Sequence, residues 1–139
     1  MKRELSIGAV IYTNTQQFRF LLLEYKAGHI GYVKGGIKEG ETQQETLLRE
    51  VKEETRIAKL NILPGFKSIV KYTYNLNGEN IFKRVIFYLA QTPNKKVTLS
   101  SEHKDYFWLP YNQAHNKLSF PEQKELLEKA YKHLKEEKL

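Results

Sequence analysis

The stretch GGIKEGETQQETLLREVKEETRI, residues 35 to 57, carries six glutamates behind a glycine-led loop. No other segment restricts the fold as much. Thr42 and Glu45 have the spacing of a capping box, in which each side chain satisfies an orphan backbone donor of a helix start. The spacing predicts a helix over Thr42 to Thr55, with Leu47, Leu48 and Val51 as its apolar stripe. Glu50, Glu53 and Glu54 fall three and four residues apart, on a face beside that stripe. Like charges at this spacing destabilise the helix that carries them, so something in the fold must offset the repulsion. Gly35, Gly36 and Gly40 let the preceding backbone turn sharply and come close to a ligand.

The rest of the chain supplies a sheet for that helix. Glu4 to Thr13 and Phe18 to Tyr25 read as strands around a polar turn, hence a hairpin. AGHIGYVKGG reads as a loop with a short extended piece at Tyr32 and Val33. Ile62 to Tyr74 and Ile81 to Ala90 are strand-like and separated by NLNGEN, a strong turn signal. Lys104 to Leu109 is a further short strand, and Tyr111 to Lys117 a short helix. Pro121 suits the first residue of a final helix whose apolar positions are Leu126, Leu127, Ala130, Tyr131 and Leu134. Repeats and linkers are absent. The expected architecture is one α/β domain over residues 1–139, a mixed sheet between helices.

Composition narrows the partners. Lys and Arg number 23 against 16 Asp and Glu, a net charge of +7. That excess by itself favours solubility over attraction to polyanions such as phosphorylated small molecules or nucleic acid, which it would also suit. There is no cysteine, which excludes disulfides and thiolate metal sites. No apolar run has membrane length, and the start lacks a signal peptide. A cytoplasmic, membrane-free monomer is the expectation.

Carboxylates gathered on one helix face are tolerated when a cation sits among them, and Mg²⁺ and Mn²⁺ prefer oxygen ligands. An isolated EVKEE reads better as a solvated acidic face of an ordinary amphipathic helix. The loop changes the balance: Gly35, Glu41, Arg49, Glu50, Val51, Glu53 and Glu54 spell G-x5-E-x7-R-E-U-x-E-E, with U a bulky aliphatic residue. This pattern resembles the Nudix box. The resemblance implies an α/β/α sandwich and attack of water on a diphosphate linked to another group, usually a nucleoside. It implies Mg²⁺, or Mn²⁺, held by Glu50, Glu53 and Glu54, with the Lys34 carbonyl as a further ligand. Arg49 would orient the glutamates, Glu41 would steady the loop with Gly35, and Glu53 would deprotonate the water. One position departs from the box, which ends E-E-x-G-U: Arg56 stands where the glycine is expected. Glycine there usually adopts a left-handed conformation, which costs a side-chain-bearing residue about 1 kcal/mol.

Beyond the box, GAVIY, FLLLEY, GHIGYVKGG, GFK and LSSEHKDYFWL are similar to the asymmetric diadenosine tetraphosphate hydrolases. That resemblance implies Glu102 as a further metal-site carboxylate or base and Lys83 as a phosphate contact. It also gives His29 and Lys34 as phosphate contacts in the loop and Tyr72 as a stacking surface for adenine. His103 is as much a structural as a functional candidate, and Trp108 a core one. The proline and histidine that often precede the box in that group are missing here; the lysine and first glycine remain. The expected substrate is a nucleotide or dinucleoside polyphosphate, chiefly diadenosine tetraphosphate cut to ATP and AMP. The alternatives are pyrophosphohydrolysis of nucleoside triphosphates or RNA 5′ ends, and a non-catalytic nucleotide-binding module.

Overall fold

The computed structural model describes residues 1–137. Its chain order is β1 (Lys2–Asn14), β2 (Phe18–Tyr25), β3 (Ile30–Gly31), β4 (Val33–Gly36), α1 (Gln43–Thr55), β5 (Asn61–Ile62), β6 (Ser68–Leu76), β7 (Glu79–Gln91), β8 (His103–Pro110), α2 (Tyr111–Lys117) and α3 (Pro121–Glu137). All eight strands join one mixed sheet, in which β1 runs parallel to β7 and the other pairs are antiparallel.

The hairpin of β1 and β2 is closed only near its turn, from Tyr12–Phe20 to Asn14–Phe18. Beyond it the two strands part. β4 takes the freed edge of β1, pairing Val33 to Gly36 with Ala9 to Ser6, and β3 takes the freed edge of β2 at Leu23 and Glu24. The sheet is therefore split at one end, and the box loop leaves from that split.

Alternation along β1 divides the core in two, because successive side chains point to opposite faces. Ile7, Ala9 and Ile11 pack with Leu47 and Val51 of α1. Val10 and Tyr12 pack with Leu126, Leu127, Ala130 and Leu134 of α3 and Ala114 of α2. Helices thus cover both faces, as the expected sandwich requires.

The predicted helix over Thr42 to Thr55 has Thr42 as its N-cap, and both hydrogen bonds of the capping box form. The predicted bounds of β2 and α2 are also the observed ones. Four expectations need correction. The single strand over Ile62 to Tyr74 is two pieces. Pro64 has no N–H for a ladder and Gly65 has φ of 81°, so after a last bond from the Leu63 N–H to the Leu89 carbonyl the chain leaves β7 over residues 64–67 and rejoins it at Ser68–Phe87. The loop before the box holds two short strands, one either side of Tyr32, where one was expected. Leu48 is exposed, because the stripe that meets the sheet is Leu47 and Val51 alone. Trp108 lies at the border of the core, half-buried, its Nε1 donating to the Lys95 carbonyl at 2.8 Å. Arg56 does take the left-handed conformation, with φ of 65°, and its N–H donates to the Lys52 carbonyl.

Candidate active site

Arg49 organises the exposed side of the box. Its Nε donates to Glu41 Oε2 at 2.6 Å, and its Nη2 to Glu41 Oε1 and to the Gly36 carbonyl, both at 3.0 Å. Its Nη1 donates to Glu50 Oε1 at 2.7 Å and reaches Glu53 at 3.3–3.4 Å. A planar guanidinium can serve several oxygens at once, which an ammonium cannot. Glu41 also accepts from the Lys38 N–H and the Thr46 hydroxyl, both at 2.9 Å. The Arg49 hydrogen bond, with those two, holds the Glu41 carboxyl down at about 2. Glu41 thus ties loop to helix, the role the box resemblance implies.

Gly35 faces Glu50 directly. A Cβ added at Gly35 would lie 2.0 Å from the Glu50 carboxyl carbon. The glycine is there because the carboxylate occupies the space a side chain would need.

One turn further along α1, Glu54 is buried, only 4% exposed. Its Oε1 lies 3.2 Å from His103 Nε2, and its Oε2 has no hydrogen-bond partner among the described residues. Burial pushes its carboxyl up to about 9, helped by the adjoining Glu50 carboxyl and by the negative charge of Glu50, Glu102 and Glu53. The His103 ring is itself buried, with Nδ1 3.2 Å from Ser100 Oγ, and burial lowers its pKa against the opposing pull of Glu102. Burial therefore favours the neutral form of both partners. Their contact is not aligned as a hydrogen bond, so it is packing rather than an ion pair.

The three helix glutamates were expected to converge; two do. Glu50 and Glu54 adjoin, while Glu53 is turned outward, 54% exposed and held only by the long contacts to Arg49. Among the described residues no three acidic or imidazole groups are gathered as a metal site. The donor set nevertheless fits a divalent cation. Two adjoining carboxyls, one with a buried unpartnered oxygen, are costly to ionise unless a cation compensates them, and oxygen ligands suit a hard ion. Exposed ion pairs contribute roughly 0–1 kcal/mol, so turning Glu53 inward to join them costs little. Glu102 is exposed in the loop before β8. Its N–H lies 3.4 Å from Ser100 Oγ, and its charge is felt at Glu54.

The opposite side of the split carries cationic and aromatic groups. Lys34 Nζ donates to the Tyr72 hydroxyl at 3.1 Å and lies 5.5 Å from that ring's centre. Burial lowers the Lys34 pKa, opposed by the charge of Glu54. Val70, Tyr72, Val85, Phe87, Phe120 and Gln123 line an adjacent, mostly apolar cavity of about 160 Å³. His29 approaches the Phe120 ring at 5.7 Å. Burial, then the Lys34 charge, lower the His29 pKa. Lys83 lies in register between Glu4 and Tyr72, on the Tyr72 face and at the margin of this group.

Sequence reasoning missed two residues. Phe120 follows α2 with no local pattern to mark it. Tyr25 is the hub between the two sides: its ring stacks on His29 at 4.4 Å and tilts against His103 at 4.6 Å. Its hydroxyl donates to the Tyr32 carbonyl at 2.5 Å, bridging the split. The only trace in the sequence is its position at the end of FLLLEY, where β2 shifts register against β8.

Comparison with known proteins bears on this site. The NUDIX domain family model matches residues 2–130. A mouse asymmetrical bis(5′-nucleosyl)-tetraphosphatase is 36% identical over 83% of this chain and 80% of its own. An RNA pyrophosphohydrolase of Nitratiruptor is 32% identical over 70% of each chain. The solved binary complex of a C. elegans Ap4A hydrolase superposes with a TM-score of 0.81 at 30% identity, covering 94% of this chain and 97% of that one.

Proposed function

The chain is a pyrophosphohydrolase of the Nudix family, and from that premise we propose that it cuts diadenosine tetraphosphate to ATP and AMP with Mg²⁺, or Mn²⁺, as its cation. The observation that carries the reading is the Glu50–Glu54 pair, two adjoining carboxyls with a buried oxygen that makes no hydrogen bond among the described residues. Glu50, Glu54, Glu53 and the Lys34 carbonyl would hold the cation, with Glu102 closing the site from the loop. When bound, the cation neutralises phosphate oxygens and lowers the pKa of water.

The chain's own groups do the rest. Arg49 fixes Glu50 and the loop, so that the carboxylates are oriented before substrate arrives. Glu53, open to solvent, takes the proton from the attacking water. Lys34 stands across the split and stabilises charge on the departing phosphate, with His29 and Lys83 as outer phosphate contacts. An adenine enters the cavity between Tyr72 and Phe120, where its faces meet aromatic rings. The tetraphosphatase relative supports this substrate. The RNA pyrophosphohydrolase relative and the +7 charge support a second, RNA 5′ ends.

Product analysis tests the proposal. The protein and its Glu54→Gln variant are incubated with Mg²⁺ and diadenosine tetraphosphate, nucleoside triphosphates or 5′-triphosphorylated RNA, and products are resolved by ion exchange. ATP plus AMP, absent with the variant, is the expected result. Pyrophosphate from the other substrates, with the dinucleotide intact, retains the chemistry and discards this substrate.

A further inference from the structure

On the α1 face of the sheet, the far ends of β1, β7 and β6 are open to solvent. Strand register puts Leu5, Arg84 and Lys71 in one row and Arg3, Phe82 and Thr73 in the next. Directly paired residues share a face, so these rows present Arg3, Lys71 and Arg84 together. All three cations are exposed, and so is Ile69 in the neighbouring row, at 49%. Among the described residues none of the three makes an ion pair with a carboxylate. Arg3 lies over the half-buried Phe82 ring at 5.6 Å. Cations left without acidic partners, with an aromatic ring between them, form a surface complementary to a phosphodiester chain and its bases.

Position gives the surface its meaning. One residue further along, with side chains on the opposite face, Gly36 of β4 pairs with Ser6 of β1 and Ser6 with Val85 of β7, and the Gly36 carbonyl is where Arg49 anchors the box. Strands lie about 4.8 Å apart, so Arg84 on β7 stands two strands, roughly 10 Å, from Gly36 on β4, the strand that borders the glutamate site. A polynucleotide with its 5′ phosphates at the cluster would cross Arg84 within two or three nucleotides.

We propose that the open sheet face bearing Arg3, Lys71, Phe82 and Arg84 binds the body of a single-stranded RNA whose 5′ end enters the glutamate site. This rests on the RNA reading above, and extends it to a surface that dinucleotides do not touch.

The test separates the two. Binding of a fluorescein-labelled 12-nucleotide RNA with a 5′ hydroxyl is followed by anisotropy from 50 to 300 mM NaCl, without divalent cations. The protein is compared with an Arg3→Ala, Lys71→Ala, Arg84→Ala variant and with a Lys96→Ala, Lys129→Ala, Lys132→Ala control of the same net charge. Mg²⁺-dependent dinucleotide turnover is measured on all three, and circular dichroism and thermal melts confirm that each folds. The expected result is a loss of affinity of at least about tenfold in the first variant, with the salt slope reduced by about 2, since each lost single-strand phosphate contact removes about 0.7. The control keeps its affinity and all three keep turnover. Equal losses in both variants would overturn the proposal, because net charge alone would then explain binding. So would intact turnover with no RNA binding by the unaltered protein. RNA binding of the expected pattern without dinucleotide turnover would support the surface and overturn the dinucleotide substrate.

Discussion

Glu41, in the loop just before the N-cap of α1, and Glu54, in the last turn of that helix, carry the same group in opposite conditions. Glu41 accepts from a guanidinium, a backbone N–H and a hydroxyl, and its carboxyl sits at about 2. Glu54 is buried against a ring that burial keeps neutral, beside other carboxylates, and sits at about 9. The first arrangement is complete within the protein and works as a brace. The second is incomplete within the protein, the condition that the proposed cation site requires. Perturbed carboxyls in a cleft are often functional, but only the second has a geometry that a bound cation would resolve.

Removing the incomplete end has the largest expected effect. Glu54→Gln should reduce turnover by about 10²- to 10³-fold, the scale of losing one group aimed at transition-state charge. The same variant tests the electrostatics in the absence of divalent cations. The folded-state pKa of Glu54 lies above the ordinary carboxyl value of 4.5, so the folded state holds its proton more tightly than the unfolded state does. Stability conferred by that proton is fully present below pH 4.5 and lost as pH rises toward 9. Thermal melts in chelator should show Tm falling across this window for the parent protein and a flatter profile for Glu54→Gln. Identical profiles would break the contrast between the two ends.

Next is the contact that seats Glu50. Gly35→Ala puts a methyl group where the Glu50 carboxyl now lies. The far end of a flexible side chain moves cheaply, so Tm should hardly change. Turnover should fall by about 10²-fold, since misplacing a catalytic group by about 1 Å costs that much. A large fall in Tm at full activity would instead make Gly35 a packing glycine.

The braced end should respond to Arg49→Lys. A lysine cannot hold Glu41, Glu50 and the Gly36 carbonyl together, so turnover should fall by roughly tenfold, less than in the Glu54 variant. The Glu41 pKa is depressed, so its contribution to stability is present above pH 4.5 and lost as pH falls toward 2. Acid titration followed by circular dichroism should show Arg49→Lys unfolding at a higher pH than the parent protein. An unchanged acid midpoint would mean that Glu41 is braced by its backbone and Thr46 contacts alone.

This contrast was only partly legible in the sequence. The helix, its cap and the box spacing are local patterns, and Thr42, Glu45, Glu41 and Arg49 sit where they imply. The mixed sheet between helices also followed from alternating segments, and the solved C. elegans structure agrees with it. Helical period itself separates Glu53 from Glu54: Glu54 stands three residues after Val51 and seven after Leu47, on the buried stripe, and Glu53 lies off it. What the period does not show is that His103 of β8 meets Glu54 there and that Tyr25 of β2 packs on His103. Those pairings are long-range, as is the split that lets β3 and β4 enter between β1 and β2. Tyr25 and Phe120 carry no local signature because their roles exist only once those strands have met.

The smallest expected effect lies at the end of α1, where Arg56 holds a conformation that its side chain disfavours. With φ at 65° and ψ at 10°, it occupies the left-handed region at a cost of about 1 kcal/mol. Arg56→Gly removes that cost but frees the unfolded chain, which recovers part of the gain for the unfolded state. A net stabilisation of about 0.5 kcal/mol is expected, a rise in Tm of about 2 °C for a chain this size. The neighbouring Thr55 hydroxyl already fixes the turn, donating to the Val51 carbonyl at 2.6 Å and accepting from the Ile57 N–H. Glu54 should therefore keep its position, and turnover its rate. If turnover changed while Tm did not, Arg56 would belong to the incomplete end of the helix, acting on the buried carboxylate two residues before it.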